Sequence, residues 1–292
     1  MLKYILKGVI TVNERIITNG RINDFKIYLC DEERSKNTVD KYVRDVRMLK
    51  ESLGGAALHK SDVLEYKQRL CKTYSPASVN SMLSSINAFF LFMNWNDLKV
   101  KTLKIQRHIF ADKSKELTKA EYERLLSAAK SERNERLYYL MQTIASTGLR
   151  VSEVKYVTCE AVRQGWAVIN CKGKIRQVFL PDKLCKMLKS YIKSQNISKG
   201  AVFVSRNAKP LDRSNIWKML KALCETAGVS KDKVFPHNFR HLFARTFYSL
   251  QKDIVRLADI LGHSSVETTR IYTMESGTEH IRQLQRLGLL RC

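Results

Sequence analysis

The sequence predicts a mainly α-helical protein with one small antiparallel sheet, arranged as two domains. Apolar residues recur at helical spacing through most of the 292 residues. Only residues 165–180 have the composition of a β-hairpin. A basic, non-periodic stretch at 98–116 separates the two halves and is expected to be a linker. We therefore expect an N-terminal extension at 1–20, a helical domain at 21–97 and a second domain at 117–292.

Four helices are predicted in the first domain, over about 22–30, 38–53, 61–73 and from residue 76 onward. The fourth has the clearest start, because Ser75 is a good N-cap and Pro76 suits the first helical position. Apolar side chains then recur on one side of it: Val79, Met82, Leu83, Ile86, Phe89, Phe90 and Met93. Four helices in so short a segment predict a compact bundle.

The second domain is predicted to open at Thr118, which forms a capping box with Glu121. Helices are expected over about 119–129, 135–147, 182–195, 212–227, 237–250, 253–261 and 279–287. The hairpin at 165–180 turns at Lys172, Gly173 and Lys174.

The charge of the chain favours a polyanionic partner. Its formal net charge is +24 with a pI near 9.8, and both sides of residue 110 are net basic, so the charge is not confined to a tail. Nucleic acid is the first candidate and an anionic membrane the second. No apolar run is long enough for a membrane span, and we expect no secretory signal, because charged residues interrupt the apolar positions of the first sixteen residues. The seven cysteines lack metal-ligand spacing, so we expect reduced thiols of a cytoplasmic protein and no metal site.

Six polar side chains of the second domain form a consistent set for phosphodiester chemistry: Arg150, Lys172, His237, Arg240, His263 and Tyr272. Two guanidiniums can bind the non-bridging oxygens of a phosphate and stay charged at any working pH. A phenol, whose ordinary pKa is about 10, can attack phosphorus once a neighbouring imidazole takes its proton. A lysine at a turn can protonate the leaving oxygen, and a second imidazole can hydrogen-bond the phosphoryl oxygen. The covalent phosphotyrosine keeps the bond energy, so rejoining needs no cofactor.

Three blocks carry five of these residues, all except Lys172, in a recognisable order: TGLRVSE at 147–153, PHNFRHLFA at 236–244 and LGHSSVETTRIYT at 261–273. They resemble the tyrosine recombinases, a family that includes phage integrases and Xer-type recombinases. The resemblance is strong over about 118–275 and weaker over the helical N-terminal part.

The resemblance implies a SAM-like core-binding domain at 21–97, a catalytic domain at 117–292, and a clamp of the two around double-stranded DNA. It implies that Arg150 and Arg240 bind the phosphate, His237 acts as acid and base, and His263 stabilises the transition state. Lys172 would protonate the leaving group and Tyr272 would attack. Four protomers would act on two duplexes at paired target sites, with accessory proteins left open. The helix at 279–287 would dock on a neighbouring protomer or on its own subunit.

Several alternatives stay open at the level of sequence. The turn is one residue shorter than the family pattern, so Lys174 competes with Lys172, which we favour because it directly precedes Gly173. Glu153 either orients a basic group or is a helix-face charge, and His241 is expected to be structural. A DNA-relaxing enzyme of the type IB topoisomerase class and a catalytically inactive DNA-binding relative are the rival functions.

Overall fold

The computed structural model describes residues 15–105, 113–171, 174–205, 207–272, 281 and 285–287, without the side chains of Lys113, Cys171 and Lys174. The chain divides into two compact units, Met1–Arg107 and His108–Cys292. The described residues are mostly helical, with one two-stranded antiparallel sheet, which confirms the predicted fold class. No helix in these ranges is long and apolar enough to cross a membrane.

The N-terminal unit is a bundle of four helices: α1 (Asn19–Asp31), α2 (Lys36–Leu53), α3 (Lys60–Thr73) and α4 (Pro76–Phe92). The helix α4 begins at the predicted residue, because Ser75 accepts a hydrogen bond from the backbone N–H of Ser78 and Pro76 fills the first helical position. The predicted apolar side of α4 is buried in the unit's core, where Phe25, Phe89 and Trp95 form edge-on ring pairs.

The first part of the expected linker packs on the N-terminal unit instead of lying in solvent. Leu98 and Val100 are buried in its core. The Asn87 side chain donates to the carbonyl of Val100 at 2.8 Å and accepts from its N–H at 3.0 Å. Asn80 holds the backbone of Leu103 in the same way, at 2.9 and 2.7 Å. These amides satisfy an irregular backbone segment, which the basic composition of residues 98–116 did not indicate.

The second unit contains the remaining elements. Its helices are α5 (Lys119–Ser131), α6 (Glu135–Thr147), α7 (Cys159–Gln164), α8 (Asp182–Ser194), α9 (Arg213–Thr226), α10 (Pro236–Gln251), α11 (Ile254–Leu261) and α12 (Val266–Thr269). Its strands are β1 (Trp166–Cys171) and β2 (Lys174–Phe179). The helix α6 packs against α5, α8 and α10, so its carboxyl end lies deep in the unit.

The hairpin has an inner and an outer face. Its register pairs Ile169 with Arg176 and Cys171 with Lys174. Ile169 and Val178 are buried, whereas Val168 and Ile175 are exposed, as strand alternation requires. Arg176 lies on the same face as the buried residues, which turns a cationic side chain toward the body of the unit.

Six short elements were absent from the predictions: α7, α12 and the 3₁₀ turns Asn96–Leu98, Lys113–Lys115, Val151–Tyr156 and Arg270–Tyr272. Their six residues or fewer give too short a pattern for a helical period to be recognised. Of the predicted helix at 279–287, only residues 281 and 285–287 are described, so its docking lies outside what the structure tests.

Gly148→Ala should destabilise the second unit more than Gly165→Ala, although both glycines end helices with positive φ, at 66° and 85°. A Cβ at Gly148 would lie 2.6 Å from Phe243 and 2.9 Å from Leu261, whereas no described atom lies within 4 Å at Gly165. We expect about 1 kcal/mol for Gly165→Ala from backbone strain, and about 3 kcal/mol for Gly148→Ala because overpacking adds to it. Denaturant unfolding measures the difference, and equal losses would contradict the packing described here.

Candidate active site

Arg150 lies directly after α6, which ends at Gly148 in a left-handed conformation. Arg150 precedes the 3₁₀ turn at 151–156, and its backbone N–H donates to Glu153 at 2.8 Å. Its guanidinium also donates to Glu153, at 3.0 Å from Nη1 to Oε1. The Arg150 side chain is 37% exposed, so part of the guanidinium is accessible to a ligand.

Arg240 is a charged side chain in the interior, only 1% exposed. It lies on the first turns of α10, three residues after His237 and on the same face. Its Nη1 donates to the carbonyl of Gly148, and its Nη2 donates to the carbonyl of Leu261 at 2.8 Å. Both carbonyls belong to the ends of helices that terminate in left-handed glycines, Gly148 and Gly262. The negative ends of α6 and α11 therefore face one buried cation, which they stabilise.

Burial lowers the pKa of the Arg240 guanidinium to about 10, and repulsion from Arg150 adds to this effect. A hydrogen bond and charge interaction with Tyr272 act in the opposite direction, as does the charge of Glu153. The guanidinium stays protonated at neutral pH, because its pKa remains well above 7. Its Nε has no hydrogen-bond partner among the described residues, which leaves a buried donor for an anion.

His263 follows Gly262 at the end of α11 and lies between two fixed partners. Its Nε2 is 2.9 Å from Nη2 of Arg240, and its Nδ1 is 2.8 Å from the hydroxyl of Thr269. A guanidinium can only donate, so Nε2 accepts and Nδ1 carries the proton. Burial, with the charge of Arg240 next, lowers the pKa of His263 to about 4, which keeps the ring neutral.

Tyr272 ends the 3₁₀ turn Arg270–Tyr272 and is 4% exposed. Its ring packs edge-on against His241 at 4.8 Å and parallel to His263 at 6.1 Å between centroids. Nε2 of His263, the ring that Tyr272 packs on, lies 2.9 Å from Nη2 of Arg240. One imidazole, that of His263, therefore lies against both the candidate nucleophile and one candidate phosphate-binding arginine.

His237 is exposed at the first turn of α10, and its ring is 4.7 Å from that of His241. Partial removal from solvent lowers the pKa of His237, and the charges of Arg240, Arg150 and Arg213 lower it further. A neutral imidazole at this position can accept a proton. Burial, with the charge of His237 next, lowers the pKa of His241 to about 4.

The structure thus brings Arg150, His237, Arg240, His263 and Tyr272 into one region. Lys172 lies outside the described residues. Lys174 is placed in β2 opposite Cys171, and its side chain is not described. The choice between the two lysines stays open.

The sequence reasoning underestimated one group and missed another. Glu153, 1% exposed, is the acceptor for both Arg150 and Arg176. Arg176 binds it through two parallel hydrogen bonds, of 2.8 and 2.9 Å. Burial alone would raise the pKa of Glu153, but the hydrogen bonds and charge of Arg176 and Arg150 lower it below its ordinary value. The position of Glu153 three residues after Arg150 was the available signal, whereas Arg176 appeared only as the last residue of the hairpin motif, with no spacing that connects it to Glu153.

Comparison with known proteins places this site in a family. The model of the phage integrase family matches residues 115–279, more than half of the chain. This chain belongs to the phage integrase family. The model of the phage integrase N-terminal SAM-like domain matches residues 22–97, and the two matches together confirm the predicted resemblance.

Individual members of the phage integrase family align over nearly the whole chain. Tyrosine recombinase XerA of Thermococcus kodakarensis is 32% identical over 283 residues, which cover 93% of this chain and 96% of that protein. A crystal structure of XerA recombinase, 27% identical, covers 94% of this chain and 100% of its own with a TM-score of 0.51. A lambda integrase tetramer bound to a Holliday junction has the same fold, with a TM-score of 0.70 at 17% identity over 89% of this chain and 78% of that one.

Glu153→Gln should destabilise the second unit by about 3 kcal/mol at neutral pH, because it removes the buried anion that pairs with two arginines. The lowered pKa of Glu153 means that its contribution is complete above the ordinary pKa of a glutamate and is lost as the pH falls through the lowered value. The difference between wild type and variant should therefore shrink toward zero in acid. Unfolding at several pH values measures it, with exposed Glu123→Gln as the control. If the difference in the free energy of unfolding between wild type and Glu153→Gln did not depend on pH, the charge of Glu153 would not contribute to stability.

Proposed function

We propose that this chain is a site-specific DNA recombinase that cleaves and rejoins DNA strands through a covalent 3′-phosphotyrosine on Tyr272. The observation that carries the proposal is the packing of the Tyr272 ring on His263, whose Nε2 lies 2.9 Å from Nη2 of the buried Arg240. Without an anionic ligand, the cluster of cations around Tyr272 would destabilise the fold, because the cations repel one another. A bound phosphate removes that repulsion.

In the proposed reaction, the scissile phosphate lies between Arg150 and Arg240. The free Nε of Arg240 and the accessible part of Arg150 supply hydrogen-bond donors for its non-bridging oxygens. The Tyr272 oxygen attacks phosphorus, the bond to the 5′ oxygen breaks, and the DNA stays attached through its 3′ phosphate. Rejoining reverses these steps with a 5′ hydroxyl as the nucleophile.

The protons are assigned to the neighbouring imidazoles and a lysine. His237, neutral because its pKa is lowered, accepts the phenol proton as general base. His263 is assigned the stabilisation of the transition state: its neutral ring accepts from Arg240 at Nε2 and is held at Nδ1 by Thr269, which orients the Arg240 guanidinium toward the phosphoryl oxygens. Lys172 is the proposed general acid for the leaving 5′ oxygen, with Lys174 as the alternative.

Double-stranded DNA is the proposed partner, and a tetramer on two duplexes is the proposed assembly. The lambda integrase structure is a tetramer on a Holliday junction, and this chain shares its fold. The net charge of +24 supplies the attraction to phosphate. We propose that residues 21–97 form a core-binding domain that contacts DNA and that residues 117–292 form the catalytic domain. Residues 98–116 join the two.

The rival functions have less support. A type IB topoisomerase would share the nucleophile and the cations, but the aligned relative is named a tyrosine recombinase. An inactive DNA-binding relative would not need a tyrosine packed on a histidine that itself holds a buried Arg240. Relaxation of a supercoiled plasmid that lacks paired target sites distinguishes a topoisomerase from a recombinase, since only a topoisomerase would relax it.

Tyr272→Phe should abolish covalent attachment to DNA while the fold and DNA affinity stay unchanged. The substrate is target-site DNA with a nick that releases the short fragment after cleavage and so traps the adduct. Wild type should form an adduct that survives denaturation. Tyr248→Phe is the matched control, because Tyr248 packs against the same apolar cluster as Tyr272. Adduct formation by Tyr272→Phe would disprove the assignment of the nucleophile.

Arg150→Ala should slow cleavage about 100-fold or more, because it removes a donor that acts on the charge developing in the transition state. DNA affinity should change little, with the salt dependence reduced by about one phosphate contact. Arg163→Ala removes the same charge from an exposed residue of α7 and is the control. Single-turnover cleavage and binding measured at several salt concentrations test this. Equal losses in cleavage and binding would mean that Arg150 belongs to the docking surface.

A further inference from the structure

Arg176 occupies a position that joins three parts of the candidate site. It lies in β2, two residues after Lys174, on the inner face of the hairpin opposite Ile169. Both of its terminal nitrogens donate to Glu153, whose remaining hydrogen bonds come from Arg150. The hairpin and the phosphate-binding Arg150 are therefore fixed to the same carboxylate.

Arg176 also contacts the turn that carries His263. A Cβ built on Gly262 would lie 2.5 Å from Cδ and 2.6 Å from Nε of Arg176, so the aliphatic part of Arg176 fills the space beside this glycine. The Arg176 charge is among those that lower the pKa of His263. One side chain thus sets the distance between β2, the turn at Gly262 and the carboxylate that holds Arg150.

The other residues of the hairpin's inner face cannot fix its position as sharply. Ala167, Ile169 and Val178 are buried by apolar packing, which favours contact but is not directional. A bidentate guanidinium–carboxylate pair has defined geometry in both distance and angle. The Arg176 side chain is 19% exposed and Glu153 1%, so solvent competes little for this pair.

We propose that Arg176 is a positioning residue for the step in which the leaving 5′ oxygen is protonated. By holding β2 to Glu153, it sets the place of the hairpin, and with it the lysine of that hairpin, relative to the phosphate bound by Arg150. This inference rests on the proposed function. It adds Arg176 to the residues that serve protonation of the leaving oxygen, because Arg176 fixes the position of β2.

A bridging phosphorothiolate separates this role from a general structural one. In such DNA the 5′ bridging oxygen of the scissile phosphate is sulfur. The Tyr272 oxygen still forms its bond to phosphorus, but the bond that breaks is P–S, and the electron pair leaves on sulfur. A thiolate is a far weaker base than an alkoxide and departs without a proton, so a defect in protonation no longer slows cleavage.

Arg176→Ala should slow cleavage of ordinary target DNA about 100-fold, the typical contribution of general acid catalysis. The same variant should cleave the phosphorothiolate DNA at close to the wild-type rate, because Arg150 keeps its own two hydrogen bonds to Glu153. Arg150→Ala is the contrasting variant and should cleave both substrates slowly, because Arg150 binds the scissile phosphate whether oxygen or sulfur leaves. Arg176→Lys keeps the charge and one hydrogen bond, so it should fold and show a smaller defect with the same rescue.

Two results would overturn the inference. Arg176 variants that are equally slow on both substrates would show that Arg176 acts in phosphate binding or in the stability of the second unit. Arg176 variants with wild-type rates on both would show that the hairpin is positioned without it. Failure of the wild-type protein to form a Tyr272 adduct with either DNA would instead refute the proposed function, and this inference would fall with it.

Discussion

The burial of the Arg240 guanidinium against the ends of two helices is the constraint on which the rest of the site depends. A buried cation without partners would be strongly destabilising. The carbonyls of Gly148 and Leu261 meet it because α6 and α11 both end in left-handed glycines. The same two helix ends carry the chain directly to Arg150 and His263. Satisfying one charge therefore assembles the phosphate-binding region.

A second consequence of this arrangement is that the site carries more positive charge than its own carboxylate neutralises. Glu153 pairs with Arg150 and Arg176, while Arg240 is held by neutral carbonyls. Burial, reinforced by the neighbouring cations, lowers the pKa of His237 and His263, which favours the neutral form of both imidazoles before DNA binds. A phosphodiester supplies the missing negative charge, so binding and preparation for chemistry are the same electrostatic event.

Much of the fold and of the site could be predicted from local patterns. The start of α4 followed from Ser75 and Pro76, and the start of α5 followed from the capping box of Thr118 and Glu121. The contacts of Arg176 and the packing of Val100 could not be predicted, because their partners are distant in sequence and no spacing rule connects them. The tautomer of His263 likewise depends on partners that only the folded chain brings together.

The central claim is that the candidate side chains surround one phosphate. Its most direct test is a crystal structure of the protein with orthovanadate and with DNA of the sequence that is recovered from the covalent adduct. We predict a five-coordinate vanadate bonded to the Tyr272 oxygen. Nitrogen atoms of Arg150 and Arg240 should lie about 3 Å from its equatorial oxygens. A vanadate bound away from Tyr272, or one that leaves Arg240 in contact only with the carbonyls of Gly148 and Leu261, would contradict the account.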